Sequence, residues 1–131
     1  MNLVIDSDIL IFFLKGREDI VAKLSNCPQK AIFTTRINYA ELLSGAYNSS
    51  KVEHNLSKIT AFLDELSILE FDGQASQIFA TEKPRLKRQG VLIAYLDLMI
   101  ASIAKRHDFS LVTNNFKHFD SIEHLKIERW T

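Results

Sequence analysis

Leu3-Val4-Ile5 is a short β-branched apolar run that stops abruptly at Asp6-Ser7-Asp8, the pattern of a strand buried on both faces in a parallel sheet. A helix is expected from Ile9 to Leu14, with Asp8 its favoured cap and Gly16 its stop, followed by an amphipathic helix from Glu18 to Ser25. Ala31 to Thr35 reads as the second strand, and a helix from about Arg36 to Tyr47 is closed by Gly45 and the Asn48-Ser49-Ser50 cluster. Val52, Leu56, Ile59, Leu63 and Leu66 recur at alternating spacings of four and three, which marks one face of a further helix. Strand character returns at Ile68 to Phe71, and helical spacing at Ala75, Ile78, Phe79, Glu82 and Leu86, with Pro84 expected to kink or break that helix. After Gly90, Val91 to Ala104 reads as a buried helix carrying Asp97; strands at Leu111 to Thr113 and near Lys126 to Trp130 follow. Strands alternating with helices along the whole chain predict one domain over 1–131, a three-layer α/β/α sandwich around a mainly parallel sheet with right-handed crossovers.

Composition narrows the function classes. The 131 residues hold 47% apolar and 24% charged side chains, a balance that excludes disorder and fibrous repeats. Lys plus Arg (16) equal Asp plus Glu (16), so the molecule has no net field to draw in a polyanion, and any nucleic-acid contact must come from a local patch. Cys27 is the single cysteine and no Cys/His cluster has zinc spacing, which points to a reducing compartment. The apolar opening is interrupted by two aspartates and the run from Val91 to Ala104 is too short for a membrane span, so a cytoplasmic protein without membrane contact is expected.

Three carboxylates stand where carboxylates are costly. Asp6 lies between Leu3-Val4-Ile5 and Ile9 to Leu14, Glu41 between Tyr39-Ala40 and Leu42-Leu43, and Asp97 inside Val91 to Ala101. An unpaired buried charge costs several kcal/mol, so such positions need either a cation or a helix end. Singly, each has a structural reading: Asp6 or Asp8 as a cap, Asp97 favoured by its helix dipole, Glu41 as an exposed helical glutamate. Together they suggest a site, because ligands of open parallel sheets sit beyond the carboxyl ends of the strands, where Asp6 and Thr113-Asn114-Asn115 fall. Oxygen donors without sulfur or imidazole suit Mg²⁺, with Mn²⁺ as substitute, and the chemistry of such a centre is phosphodiester hydrolysis by activated water.

Leu3 to Ile11, Asn38 to Ala46, Tyr95 to Ala101, and Leu111 to Asn115 with Phe119 resemble, in this order, the four motifs of PIN-domain ribonucleases. Within them the chain is most similar to the VapC toxins of type II toxin–antitoxin modules, including the ending Leu125 to Trp130. The resemblance implies an Mg²⁺-dependent endoribonuclease with Asp6, Glu41, Asp97 and Asn115 as site residues and Asp6 and Asp97 as metal ligands. It also implies inhibition by a cognate VapB-like antitoxin, a homodimer, and contact with DNA only through the antitoxin. Two positions depart from the family pattern: Asn115 stands where many members carry a fourth acid, and Asp8 where Asn or Ser is common.

Lys83, Arg85, Lys87 and Arg88, with Arg36, are the candidate phosphate contacts, against the alternative of a solvated helix face; Tyr39, Tyr47 and Phe116 are candidate stacking rings, against a place in the core. Ile9 to Leu14 supplies more apolar surface than one inward helix face requires, which is either wholly internal or a groove for an antitoxin helix. Three other readings stay open on the residues alone. An aspartate-nucleophile phosphatase also begins Asp-x-Asp after a strand, a phosphoacceptor domain would need a central acid for which Asp72 is the poor candidate, and a non-catalytic module would keep the metal pocket for structure.

Overall fold

The computed structural model describes residues Met1–Thr131. Five parallel strands form one sheet in the order β3-β2-β1-β4-β5: β1 Leu3–Ile5, β2 Ile32–Thr35, β3 Ser67–Leu69, β4 Ser110–Val112 and β5 Ile127–Glu128. Seven α-helices cover it: α1 Ser7–Leu14, α2 Glu18–Ser25, α3 Arg36–Tyr47, α4 Val52–Leu63, α5 Gly73–Arg88, α6 Tyr95–His107 and α7 Phe116–Phe119.

Two apolar clusters confirm the layered arrangement, one on each side of the sheet. Leu3 and Ile5 of β1 pack with Ile9, Leu10, Ile20, Leu42 and Leu63, whereas Val4 between them packs with Leu86, Leu98, Ile100, Ala104 and Phe119. Leu111 and Val112 of β4 divide the same way. This alternation is why β1 reads as unbroken apolar sequence: each successive side chain enters a different core.

The connectivity fixes where a site can form. From β1 the chain steps outward to β2 and β3, then crosses back to β4 on the other side of β1. The ends of β2, β1 and β4 therefore meet at a switch point, and they deliver Thr35, Asp6 and Thr113 to one edge.

Several expectations are corrected. Helix α1 starts at Ser7, two residues early, and its cap is Asp6, whose carboxylate accepts the Ser7 amide; Asp8 lies in the first turn. Residues 91–94 are not helical: α6 begins only at Tyr95, and Leu92 is 99% exposed, with Tyr95 and Leu96 also exposed. Apolar continuity there reflects an extended segment with Val91 and Ile93 packed inward rather than a buried helix. Helix α5 runs unbroken through Pro84, because Pro84 and the Ala80 carbonyl that loses its donor both lie at the wet surface. The third strand ends at Leu69 and the last is only Ile127–Glu128. No helix is long and apolar enough to cross a membrane.

Candidate active site

Asp6 is 6% exposed and held by three donors. Its Oδ1 accepts the Ser7 amide at 2.8 Å and Asn38 Nδ2 at 3.0 Å; its Oδ2 accepts Thr113 Oγ1 at 2.7 Å. Asn38 is placed by a reciprocal cap at the start of α3, where Thr35 and Asn38 bond one another's backbone and side-chain groups. From there its amide reaches Asp6, Ser7 Oγ at 2.9 Å and Glu41 Oε1 at 3.5 Å. Ser7 Oγ donates to Glu41 Oε1 at 2.8 Å, so a buried hydrogen-bond web ties the end of β1 to the first two turns of α3.

Asp97 comes from the first turn of α6, with its Oδ2 3.2 Å from Nδ1 of His118 on α7. Asp8 closes the remaining side: its Oδ1 accepts the Ile9 amide and its Oδ2 the Asn114 amide at 2.9 Å. Asp8 thus staples the loop after β4 to α1. Asn115 donates its backbone N–H to Thr113 Oγ1 at 3.1 Å, so its contribution to the web runs through the main chain while its exposed side chain faces solvent.

The charges interact. Burial, foremost, raises the proton affinity of Glu41, the neighbouring Asp6 and Asp97 carboxylates add to the rise, and the Ser7 and Asn38 hydrogen bonds offset part of it. Asp97 is raised by burial and by Asp6, against the lowering effect of His118. Asp8 is raised by burial and by Asp6, against the amides that bond it. Like charges crowded out of water behave in this way until a cation joins them.

Lone-pair accounting shows what remains available. Both acceptor positions of Asp6 Oδ1 are filled and Oδ2 has one left; Glu41 Oε2 and Asp97 Oδ1 have no donor. Each of the three acids therefore keeps free oxygen capacity. No three acidic, His or Cys groups already close into a ligand cluster. The donor set is all oxygen and uncompensated, which fits a hard divalent cation retaining some of its waters and does not fit zinc or copper.

Sequence reasoning places Asp6, Glu41 and Asp97 together, and the structure brings them to one edge. It missed Ser7, Asn38 and His118. Ser7 and Asn38 read locally as helix-start residues; the spacing of Asn38 three residues before Glu41 was the available signal. Of the basic candidates, Arg36 is bound to Glu70 and lies over the Tyr39 ring, and Arg85 is bound to Glu82. Lys83 sits over the exposed Tyr95 ring at 4.3 Å, while Lys87 and Arg88 form no ion pair. Of the aromatic candidates, Tyr39 packs on the core, Tyr47 is exposed and Phe116 lies under Arg129. The apolar excess of α1 borders a groove of about 460 Å³ lined by Ile11, Leu14, Leu42, Ala46 and Ile59, with Ser7 and Glu41 at its site end. Asp72 caps α5 and pairs with Arg106, so it is not the central acid of a phosphoacceptor.

Comparison with known proteins identifies the family and agrees with the fold. The sequence matches the PIN domain over residues 3–125. It is 31% identical to Ribonuclease VapC2 of Haemophilus influenzae over 99% of this chain and 98% of that one, and 29% identical to the tRNA(fMet)-specific endonuclease VapC of Shigella flexneri over 100% and 99%. Its fold superposes on VapBC2 from Rickettsia felis bound to a promoter DNA fragment with a TM-score of 0.92 at 30% identity, covering all of both chains. The DNA-bound VapBC of Salmonella typhimurium gives 0.93 at 30% identity, covering 100% of this chain and 99% of that one. The chain belongs to the PIN-domain family and, within it, to the VapC ribonuclease toxins of toxin–antitoxin modules.

Proposed function

We propose that this protein is a divalent-metal-dependent endoribonuclease, the toxin of a two-component module, restrained by a VapB-like antitoxin. The supporting observation is the free oxygen capacity on Asp6, Glu41 and Asp97, three acids of crowded charge to which no Lys or Arg is paired.

Asp6 and Asp97 would hold Mg²⁺, or Mn²⁺ in its place. Once bound, such an ion supplies a water of lowered pKa and neutralises charge on the phosphoryl oxygens. Thr113 and Asn38 fix the Asp6 carboxylate in one orientation, so that its free lone pair points consistently. Ser7 orients Glu41, leaving Oε2 to direct an attacking water, and Asn115 offers its exposed amide to substrate or solvent. His118 constrains Asp97 from the opposite side.

The groove between α1, α3 and α4 supports the partner reading. An amphipathic antitoxin segment with its apolar side on Ile11, Leu14 and Ile59 would necessarily cover Ser7 and Glu41, so occupancy alone inhibits. We assign DNA contact to the antitoxin, since this chain carries no net positive charge. The exposed Leu96 beside a hollow formed with Ile37 and Ala40 supports a homodimer.

The test is incubation of purified protein with total cellular RNA in Mg²⁺ and in EDTA, with mapping of new ends. Discrete Mg²⁺-dependent cuts are expected, suppressed when the neighbour-encoded small protein is added. RNA left intact in Mg²⁺, or cut equally in EDTA, overturns the reading.

A further inference from the structure

Asp97 and His118 also border a separate hollow that shares no residue with the α1 groove. It holds about 220 Å³ and is lined by Leu92, Ile93, Ala94, Asp97, Lys117 and His118. Ligand sites for drug-sized molecules run to about 300–1,000 Å³, so this one admits a single ring system. Its walls divide by chemistry. Leu92, 99% exposed, and Ile93 form an apolar side that water gains nothing by covering. Lys117 is exposed and has no ion pair or hydrogen bond within the protein, unlike Arg36 and Arg85. His118 has its Nδ1 committed to Asp97, which leaves Nε2 as its free polar edge.

We propose that this hollow seats one nucleotide of single-stranded RNA directly adjoining the scissile phosphate, and that it sets the enzyme's base preference at that position. The inference rests on the ribonuclease reading above and adds to it where the substrate lies. The base lies on the Leu92 and Ile93 wall, Lys117 meets a backbone phosphate, and His118 meets the base edge while holding Asp97. Charge complementarity favours this occupant: the molecule is neutral as a whole, and Lys117 is a cation at the rim of the acidic site left free for a polyanion. A flat ring with a phosphate beside it matches an apolar wall with an ammonium beside it. Double-stranded RNA, whose bases are stacked inside the helix, cannot present that combination. Lys83 over Tyr95, on the next turn of chain, continues the same positive and aromatic character outward from Ala94.

The experiment separates this inference from the one beneath it. Leu92→Glu and Lys117→Glu alter exposed side chains that make no hydrogen bond or ion pair, so circular dichroism and melting temperature are expected to be unchanged in both. Lys30→Glu, at the opposite edge of the sheet, is the control. Binding of a fluorescent single-stranded RNA is measured on the Asp6→Asn background, which leaves the lining of the hollow unchanged and slows turnover by about 10³-fold, and cleavage is mapped on the otherwise intact enzyme. The expected result is Kd and KM raised about tenfold or more by each hollow variant, with kcat within about twofold. The salt slope of binding should fall by about 0.7 when Lys117 loses its phosphate, and the bases flanking mapped cuts should broaden in Leu92→Glu. Lys30→Glu should change Kd by less than about twofold. If the parent enzyme cleaves RNA in Mg²⁺ while both hollow variants match Lys30→Glu in affinity and cut the same sites, the inference is overturned and the ribonuclease reading stands. If the parent enzyme neither binds nor cleaves RNA, both fall.

Discussion

Glu82 and Asp6 are equally buried, each 6% exposed, and are handled in opposite ways. Glu82 lies between Arg85, bonded at 2.6 Å, and Lys105 at 2.9 Å. Burial pushes its proton affinity up, but the two cations outweigh that and hold it below the ordinary carboxylate range. Around Asp6 the partners are a serine amide, an asparagine and a threonine, all neutral, and the neighbouring Glu41, Asp97 and Asp8 are pushed the other way. One cluster neutralises its charge internally and belongs to the fold. The other orients its charge without neutralising it, which leaves that task to a ligand. Burial alone therefore does not distinguish a structural acid from a functional one; the identity of the donors does.

The contrast is open to attack by substitution. The largest effect is expected from Asp97→Asn or Asp6→Asn, which should lower Mg²⁺-dependent RNA cleavage by about 10³-fold, roughly 4 kcal/mol of barrier, with circular dichroism unchanged. Asn remains a competent helix cap, so Asp6→Asn should preserve α1. Next in size, Glu82→Ala leaves the half-buried Lys105 unpaired, while Arg85 keeps Glu123 and the Ser121 carbonyl, and should cost about 2 kcal/mol of unfolding free energy in a urea titration, with activity per folded molecule unchanged. Reversed outcomes, a stability loss at Asp97 and an activity loss at Glu82, would dissolve the distinction.

The smallest effect is a difference in sign with pH. Glu41 has its folded proton affinity raised, so its share of stability is complete below the unfolded carboxylate pKa and is lost as pH rises through the folded value. Glu82, lowered, contributes above the unfolded pKa and loses that contribution as pH falls through the folded one. In EDTA at about pH 7, Glu41→Gln should melt at a higher temperature than the parent, and the gap should close near pH 3.5. A Glu41→Gln melting temperature at or below that of the parent at neutral pH would place Glu41 among the structural acids.

The layered fold was legible because strands buried on both faces leave an unmistakable apolar signature, as at Leu3-Val4-Ile5. Asp6, Glu41 and Asp97 were legible for a related reason: each interrupts apolar sequence. Which of two acids caps α1 was not, since Asp6 and Asp8 flank Ser7 and either spacing satisfies local rules; the choice depends on β1 ending at Ile5. Ser7 and His118 were hidden because their side-chain partners lie 31 or more and 21 residues away, distances over which periodicity carries no information; Asn38 offered its spacing to Glu41, but its bond to Asp6, 32 residues away, was equally hidden. The segment 91–94 misled because alternating burial and continuous apolarity look alike when the exposed member is leucine. Arg85 as a phosphate contact was avoidable: Glu82 stands three residues before it, the spacing at which helical side chains pair.

That extended segment has an evolutionary corollary. Val91 is tied back to Leu86 by its amide and rests with Ile93 on the cluster that holds Val4, so the path of the chain is fixed while Leu92 projects from it without structural duty. Replacing Leu92 should leave the melting behaviour nearly untouched. If Leu92 seats a substrate base as proposed, base preference can change at this one projecting side chain without surplus stability being acquired first.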